Sequence, residues 1–316
     1  MRAPAEILRE ILAAELEQPV PEPVTSMVDE IRRRHPSDSI VAILFYGSCL
    51  RRRSPTEGVL DFYVLVDNYR SFYGRRLPAL ANALLPPNVF YAECKWNGVE
   101  LRAKYAVISL TQFACGVSPG QLQTSLWARF AQPSRLVSVR DSVARDAVVR
   151  AITSAVVAFT DAVVPLLPER FTSADLWRRG LSATYDAELR AEGPERAAEL
   201  YEADSDYYDA LAAPAVAAAG LASRQEPGGM LLVSLVRSER ERERLRWQLR
   251  RVLGKLLNVL RLIKAAFTFA GGLDYVLWKV ERHSGVRVPV TPWQRRHPLL
   301  AAPILAWQLY RRGGFR

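Results

Sequence analysis

A glycine–serine pair and a nearby aspartate are the residues of this sequence best suited to phosphate chemistry. Gly47 and Ser48 end the apolar run 40–46 abruptly, and Asp61 stands near the start of the next apolar run, 59–66. A glycine lets the backbone approach phosphate groups closely, so that exposed N–H groups and a serine hydroxyl can bind them. A carboxylate can hold a divalent cation against the same phosphates. These residue types predict a site for a phosphorylated ligand chelated to Mg²⁺.

Strands must position these residues. Both runs are rich in β-branched side chains and are bounded by polar segments, which is typical of buried strands and predicts strands over 39–46 and 59–67. Two more strands are predicted over 88–96 and 99–109, joined by the strong hairpin signal Asn97-Gly98, and a helix is predicted near 70–85. Strands with one intervening helix and a hairpin favour a small mixed sheet. Strand, Gly-Ser turn and strand-borne aspartate together resemble nucleotidyltransferase domains of the polymerase-β type.

The chain from about residue 110 onward is helical by pattern. Helices are predicted over 119–130, 141–166, 173–191, 194–222, 240–269, 272–283 and 298–312. The predicted class is therefore α+β, in three parts. A nucleotidyltransferase domain with N-terminal helices occupies 1–133, a mostly helical domain follows over 134–235, and basic amphipathic helices form a membrane-associating tail over 236–316.

The composition points to an anionic partner. The 316 residues carry a net charge of +10, mostly from arginine, which suits a nucleotide, a nucleic acid or an acidic membrane surface without choosing among them. The three cysteines lack metal-site spacing and the three histidines are scattered, so neither a zinc site nor a disulfide framework is expected. A reducing cytoplasm is the simpler environment. No segment approaches ~20 consecutive apolar residues, so no membrane span is expected.

Further acidic residues are candidates for the cation site. Asp67 lies six positions after Asp61, roughly 20 Å away along a strand, so the two cannot bind one ion together. Many nucleotidyltransferases carry a second carboxylate two residues after the first, and Tyr63 occupies that place here. Any further metal ligand must then come from a neighbouring strand, where Glu93 and Glu100 are the candidates. Both could equally be solvated surface residues.

Basic side chains near these strands are candidate phosphate ligands. Arg51 follows the turn within a run of three arginines, and guanidinium groups bind phosphate oxygens in a bidentate manner. The run could equally form a solvated turn. Lys104 shares one face of strand 99–109 with Glu100 and Arg102, because side chains alternate along a strand. That charged face predicts either a surface directed at substrate or a solvated sheet edge.

Several short motifs occur in the order found in one enzyme family. They are YGSC (46–49), LDFYVLVD (60–67), AKYAVIS (103–109), LWARFAQPSRL (126–136), LSATYDAELRAEGPERA (181–197) and IKAAFTFAGG (263–272). In this respect the chain resembles the Tam41 family, the mitochondrial-type phosphatidate cytidylyltransferases or CDP-diacylglycerol synthases. Three positions depart from the family pattern, namely Cys49, Ala128 and Gln132.

The resemblance implies roles for individual residues. Asp61 would be the metal-binding aspartate, and Lys104 a catalytic lysine. The other implied roles are the nucleotide- or phosphate-binding residues Tyr46, Gly47, Ser48, Arg51, Arg129 and Lys264, and Asp186 in a possible substrate pocket.

The resemblance also implies a reaction. The expected activity is Mg²⁺-dependent condensation of CTP with phosphatidate, giving CDP-diacylglycerol and pyrophosphate for phosphatidylglycerol and cardiolipin synthesis. Such an enzyme would bind peripherally to the cytoplasmic face of the cell membrane, or to the matrix side of the inner membrane if mitochondrial, and no nucleic-acid partner is expected. The alternatives are a nucleotidyltransferase with a nucleic-acid or protein acceptor, and a non-catalytic membrane adaptor with a degenerate metal site.

Two C-terminal segments combine apolar residues with cations. In 238–264, leucines from Leu245 to Leu260 recur at three- and four-residue spacing, which predicts a helix packed on the core with a solvated basic face. The tail 293–316 has a short apolar stretch flanked by arginines, with Trp307 among its aromatic rings. Such rings favour the headgroup level of a bilayer. Cations gain about 1 kcal/mol per charge near an anionic leaflet. The tail predicts binding to an anionic membrane surface, with a buried or dimerising helix as the alternative.

Overall fold

The computed structural model describes residues 2–188, 194–268 and 290–296, together with Ile304, Trp307, Gln308 and Arg311. In chain order, its strands are β1 (Ile40–Tyr46), β2 (Val59–Val66), β3 (Asn88–Trp96), β4 (Val99–Ser109), β5 (Ser134–Val139), β6 (Arg170–Phe171), β7 (Ser223–Gln225) and β8 (Leu231–Val233). Its helices are α1 (Pro4–Leu16), α2 (Glu22–Arg33), α3 (Ser48–Arg52), α4 (Tyr69–Tyr73), α5 (Arg76–Leu84), α6 (Leu110–Gly116), α7 (Trp127–Phe130), α8 (Ser142–Val163), α9 (Ser173–Ala187), α10 (Pro194–Ala203), α11 (Ser205–Ala218), α12 (Arg237–Thr268) and α13 (Pro292–Arg296).

A mixed five-stranded sheet carries the candidate residues. The strand order is β3-β4-β2-β1-β5, with β2 and β4 parallel and the other neighbours antiparallel. The α+β class and the mixed sheet are thus confirmed, and the four predicted strands form close to their predicted bounds. Asn97 and Gly98 both have positive φ angles, 47° and 80°, as the predicted tight hairpin between β3 and β4 requires.

The two faces of the sheet belong to separate hydrophobic clusters. One face packs against α2 and α4 and contributes Phe62 and Tyr105. The other face contributes Tyr63 and packs against α1, α7, α8 and the helices that follow. Since β1 and most of β2 are covered on both sides, their nearly continuous apolar sequence is explained.

The sheet and the helical part share one core. β5 pairs with β1, so the sheet continues past residue 133, where the sequence predicted its domain to end, as far as Val139. The N-terminal helix α1 packs on α8 and α11, and Leu8, Leu12 and Leu16 join the same cluster as the helical residues. A small sheet of order β6-β8-β7 completes this part.

Helix α8 is the central helix of the helical part. By length and composition the segment Ser142–Leu166 would be able to cross a membrane, but 67% of its apolar window is buried inside the fold. Asp141 caps it by accepting a hydrogen bond from the Ala144 N–H at 2.7 Å. Its burial is that of a core helix.

Helix α12 packs through an unexpected face. Trp247 is buried and its Nε1 donates to the Ala162 carbonyl at 2.8 Å, while Arg250 and Glu243 form a buried ion pair. The predicted apolar stripe lies elsewhere, because Leu245, Leu249, Leu256 and Leu260 are exposed. The prediction that these leucines pack on the core is therefore wrong.

Four other predicted helices need comment. Only Trp127–Phe130 is helical within the predicted helix 119–130. The predicted helix 194–222 is two helices, α10 and α11, interrupted at Asp204, whose φ of −139° is not helical. The predicted helix 272–283 and most of 298–312 lie outside the described residues.

Candidate active site

The turn after β1 places a backbone bend directly against a carboxylate. Gly47 has φ 93° and ψ −161°, a conformation that side-chain-bearing residues rarely adopt. Tyr46 lies opposite Asp61 in the β1–β2 register. A Cβ atom added to Gly47 would lie 2.8 Å from the Asp61 Oδ2 atom. Glycine is therefore needed both for the bend and for the close approach of the carboxylate to the turn.

Asp61 and Lys104 meet because their strands are adjacent. In the parallel β2–β4 register Asp61 lies beside Lys104, and the Lys104 Nζ atom is 3.6 Å from the Asp61 Oδ1 atom. Asp61 retains 24% of its side-chain exposure and Lys104 retains 32%. Burial raises the pKa of Asp61, and the positive charges of Lys104, Arg129 and Arg51 oppose that rise. Partial exposure leaves both groups open to a ligand.

Arg129 lies on the same side of the sheet. Its Nη1 donates to the Tyr63 hydroxyl at 3.0 Å, and its guanidinium lies 5.5 Å from the ring centre of Tyr46 and 5.8 Å from that of Tyr63. It forms no ion pair with any carboxylate in the described part of the chain. A half-buried cation held only by a hydroxyl and two rings is well suited to bind an anion.

Arg51 is a second cation of this kind. Its Nη1 contacts the Gln132 Oε1 atom at 3.5 Å, and burial lowers its pKa, although Tyr208 and Tyr185 oppose this. No carboxylate of the described residues pairs with it. A cavity of about 270 Å³ opens beside it and beside Ser48. Ser48 and Arg51 thus border a cationic cleft, and both Arg51 and Arg129 act electrostatically on the Asp61 carboxylate next to the turn.

The second half of α12 is attached to the loop before β3. The Arg261 Nε donates to the Pro86 carbonyl at 3.0 Å, and the Lys264 Nζ donates to the Pro87 carbonyl at 2.8 Å and to the Leu85 carbonyl. Burial, with a smaller contribution from Arg261, lowers the pKa of Lys264 to about 8. The structure therefore places Lys264, a predicted nucleotide ligand, in contact with backbone carbonyls.

The predicted additional metal ligands are not brought to Asp61. Glu93 lies opposite Arg102, its Oε1 is 3.5 Å from the Arg102 Nε, and Glu100 pairs with the same arginine at 2.6 Å. Asp67 pairs with Arg140 at the far end of β2. Both glutamates thus neutralise an arginine instead of completing a cation site.

Asp186, the predicted substrate-pocket residue, is exposed in the last turn of α9. Its neighbour Glu188 acts electrostatically on Arg129 and on Arg261, and Tyr185 acts on Arg51. Sequence reasoning did not identify Arg261, Glu188 or Tyr185 as residues of the site. Arg261 lies one helical turn before Lys264, and this spacing is the feature of the sequence that could have identified Arg261.

The donor set fits a cation that arrives with its ligand. No group of three or more His, Cys, Asp or Glu side chains able to hold a metal ion occurs within the described residues. Asp61 supplies one carboxylate, and Mg²⁺ is commonly bound by one or two carboxylates together with substrate phosphates and water. The residues therefore fit Mg²⁺ chelated by a nucleotide better than an ion bound by the protein alone.

The arrangement is chemically suited to phosphoryl chemistry. The site offers a carboxylate for a chelated cation, a lysine beside it, and two guanidiniums that pair with no carboxylate in the described ranges. These charges can stabilise a polyphosphate and its transition state. Comparison with family models and with curated proteins finds no match to this chain.

Proposed function

We propose that this protein is a nucleotidyltransferase that condenses CTP with phosphatidate and releases pyrophosphate. The observation that carries the proposal is the pair of guanidiniums, Arg51 and Arg129, which act electrostatically on Asp61 and form no ion pair with a carboxylate of the described residues. Desolvating unpaired cations costs several kcal/mol, and an anionic ligand offsets that cost. A Mg²⁺-chelated triphosphate supplies several negative charges in a compact form, and the ordered motifs favour CTP and phosphatidate as the substrates.

The reaction requires positioning more than proton transfer. A phosphate oxygen of phosphatidate attacks the α-phosphorus of CTP, the bond from that phosphorus to the bridging oxygen breaks, and pyrophosphate leaves with the electron pair. Mg²⁺ bound at Asp61 would supply charge neutralisation to the triphosphate. The Lys104 ammonium, 3.6 Å from the Asp61 carboxylate, stabilises charge that develops on the α-phosphate. The phosphomonoester is already a nucleophile, so alignment supplies most of the rate enhancement.

The exposed face of α12 supports a lipid acceptor. Five exposed apolar residues of α12 form a stripe that we name the leucine seam. They are Leu245, Leu249, Val252, Leu256 and Leu260, which are exposed by 61%, 52%, 67%, 54% and 42%. They recur at four- and three-residue intervals, so they form one stripe along about four helical turns. A continuous apolar stripe of this kind on a surface marks a binding face.

The charges around the seam favour an anionic bilayer as its occupant. Residues 244–268 contain arginines and lysines but no aspartate or glutamate. The exposed cations Arg244, Arg251 and Lys255 flank the seam. A second copy of the same helix would bring like charges together, whereas an anionic lipid surface would attract them. The exposed Trp293 and Trp307 of the C-terminal segment add amphipathic rings to the same part of the chain.

One helix would then join the bilayer to the cleft. Its outer face carries the seam, and its inner face carries Arg261, which acts electrostatically on Arg129. An α-helix with its side chains is about 10–12 Å across. A phosphate headgroup at the membrane surface would therefore have a short distance to cover to reach the nucleotide.

Activity is tested with purified protein, CTP, Mg²⁺ and phosphatidate in mixed micelles. We expect pyrophosphate release that depends on both substrates, and its loss in Asp61→Asn. Asp67→Asn is the matched control, because it removes a carboxylate from the same strand that pairs with Arg140 at the far end. The proposal fails if no pyrophosphate forms, or if the two variants are equally active.

Membrane binding is tested by co-sedimentation with vesicles. The double variant Leu249→Ser/Leu256→Ser should bind anionic vesicles at least tenfold more weakly than wild type, on the order expected from losing two buried leucines. The control is Leu77→Ser/Leu84→Ser on α5, where both leucines are also exposed. A change of oligomeric state in the α12 variant, with vesicle binding intact, would identify the seam as a contact between copies of the chain.

A further inference from the structure

The cavity beside the turn is shared by two parts of the fold. One wall consists of Ser48, Arg51 and Arg52 from α3, and the other consists of residues of α10, among them Arg196. The space of about 270 Å³ adjoins Ser48, which directly follows the glycine that contacts Asp61. A phosphate chain that starts at Asp61 can therefore continue past Ser48 into this cavity.

The cavity carries a net positive charge. Its walls hold three guanidiniums and one carboxylate, that of Glu199, which pairs with Arg196 at 2.6 Å. Arg196 keeps 27% of its side-chain exposure, so its remaining donors are available at the cavity wall. Asp204 acts electrostatically on Arg51, and burial raises the pKa of Asp204 although Arg51 opposes this rise. In the cavity walls, Glu199 is therefore one carboxylate among three guanidiniums.

Two residues that act electrostatically on Arg51 each have a buried polar atom. The Asp204 Oδ2 and the Tyr208 hydroxyl are buried and have no hydrogen-bond partner among the described residues. Both residues act electrostatically on Arg51.

We propose that this cavity binds the two terminal phosphates of the nucleotide and the pyrophosphate that leaves, and that Arg196 of α10 is one of its phosphate-binding residues. The identity of the nucleotide rests on the proposed function, but the site for a diphosphate group does not. When the bond to the α-phosphorus breaks, the leaving pyrophosphate gains a negative charge. Guanidiniums on both walls stabilise that charge.

Calorimetry with inorganic pyrophosphate, CTP and CMP tests the proposal. Arg196→Ala should weaken the binding of pyrophosphate and of Mg²⁺–CTP by about 10- to 100-fold, as expected for a lost hydrogen bond to a charged group. CMP, which has no terminal phosphates, should bind Arg196→Ala and wild type alike. Arg178→Ala is the control, because Arg178 pairs with the exposed Glu202 of the same helix α10.

The proposal is overturned if Arg196→Ala binds pyrophosphate as wild type does, or if it weakens CMP as much as CTP. It is also overturned if the variant weakens glycerol 3-phosphate instead, because the cavity would then hold the acceptor phosphate. Arg196→Gln keeps a polar side chain of similar size, so a folding defect is not expected in this variant. It should show the same loss of pyrophosphate binding as Arg196→Ala. Normal pyrophosphate binding without lipid turnover would refute the proposed function and leave this inference intact.

Discussion

Replacing Gly47 with alanine tests whether the turn, the carboxylate and the ligand site act as one structure. The backbone conformation at Gly47, φ 93° and ψ −161°, costs about 1–3 kcal/mol for a residue with a side chain. The new Cβ would also lie 2.8 Å from the Asp61 Oδ2 and 3.2 Å from the Asp61 Cβ. These atoms belong to a strand in the middle of the sheet, so either the carboxylate rotates or the turn moves.

Both costs reduce the free energy of unfolding. Strain and overpacking together predict a loss of about 2–4 kcal/mol in Gly47→Ala, measured by urea denaturation. Binding of Mg²⁺–CTP, measured by calorimetry at a temperature where the variant is folded, should weaken at least tenfold because the carboxylate is displaced. The two measurements separate loss of fold from loss of site.

Gly98→Ala provides the matched control. Gly98 also has a positive φ, 80°, but a Cβ added there would meet no heavy atom within 4 Å. It should lose about 1–2 kcal/mol of stability from conformational cost alone and bind CTP normally. If folded Gly47→Ala binds CTP as tightly as Gly98→Ala does, the turn is not the nucleotide site and the reasoning is refuted.

Three further substitutions test Lys104 and Tyr63 at the cleft and the partly buried His35, which stacks on Phe72. Lys104→Met should raise the pKa of Asp61 further, because Lys104 opposes the effect of burial. The pH below which Mg²⁺–CTP binding is lost should therefore rise. A pH titration in which this limit is unchanged would contradict the prediction. Tyr63→Phe should lose about 1–2 kcal/mol of unfolding free energy and should bind CTP more weakly, because Arg129 loses its hydrogen-bond acceptor. Urea denaturation and calorimetry that match wild type would count against this prediction. His35, whose pKa burial lowers to about 4 from 6.5, is neutral in the fold and should take up a proton on unfolding. Wild type should therefore lose up to about 3 kcal/mol as the pH falls between those values, and His35→Phe should show a smaller dependence in the same denaturation experiment.

The strands were predictable because their signals are local. An apolar run covered on both faces is nearly continuous in sequence, and Asn97-Gly98 adopts the positive φ angles that its composition favours. β5 was missed because it is a half-buried strand at the sheet edge, and its sequence Ser-Arg-Leu-Val-Ser-Val does not alternate regularly between apolar and polar residues. Strands of two or three residues, such as β6 and β8, are too short to carry a periodic pattern.

Helix α12 shows why periodicity alone does not identify the packed face. Its sequence contains a leucine stripe and, on another side, the stripe Glu243, Trp247, Arg250 and Gly254, and only the second faces the core. A Cβ added at Gly254 would lie 2.2 Å from the Ala187 carbonyl oxygen, so this helix approaches α9 at a point that only glycine permits. Such a close contact between distant segments has no local signature in the sequence.

The site was predictable as a list of residues but not as an arrangement. Asp61 and Lys104 were identified separately, and only the parallel register of β2 and β4 places them side by side. Tyr63 was noted because it stands where a second carboxylate is often found. The structure shows that its hydroxyl instead accepts a hydrogen bond from Arg129, so a guanidinium lies near the place where a second metal ligand would have been.

The presence of a guanidinium near the place of a second carboxylate bears on the chemical class of the acceptor. A hydroxyl acceptor must lose a proton during attack, which requires a general base or a metal ion bound by several carboxylates. The charged groups that act most strongly on Asp61 are the cations Lys104, Arg129 and Arg51, and no cluster of carboxylates that could hold a metal ion occurs in the described part of the chain. A phosphomonoester needs no deprotonating base and carries charges that guanidiniums bind. A site with one carboxylate and several cations is therefore suited to a phosphate nucleophile, and an acceptor offering only hydroxyl groups should give no pyrophosphate in the assay in which phosphatidate does.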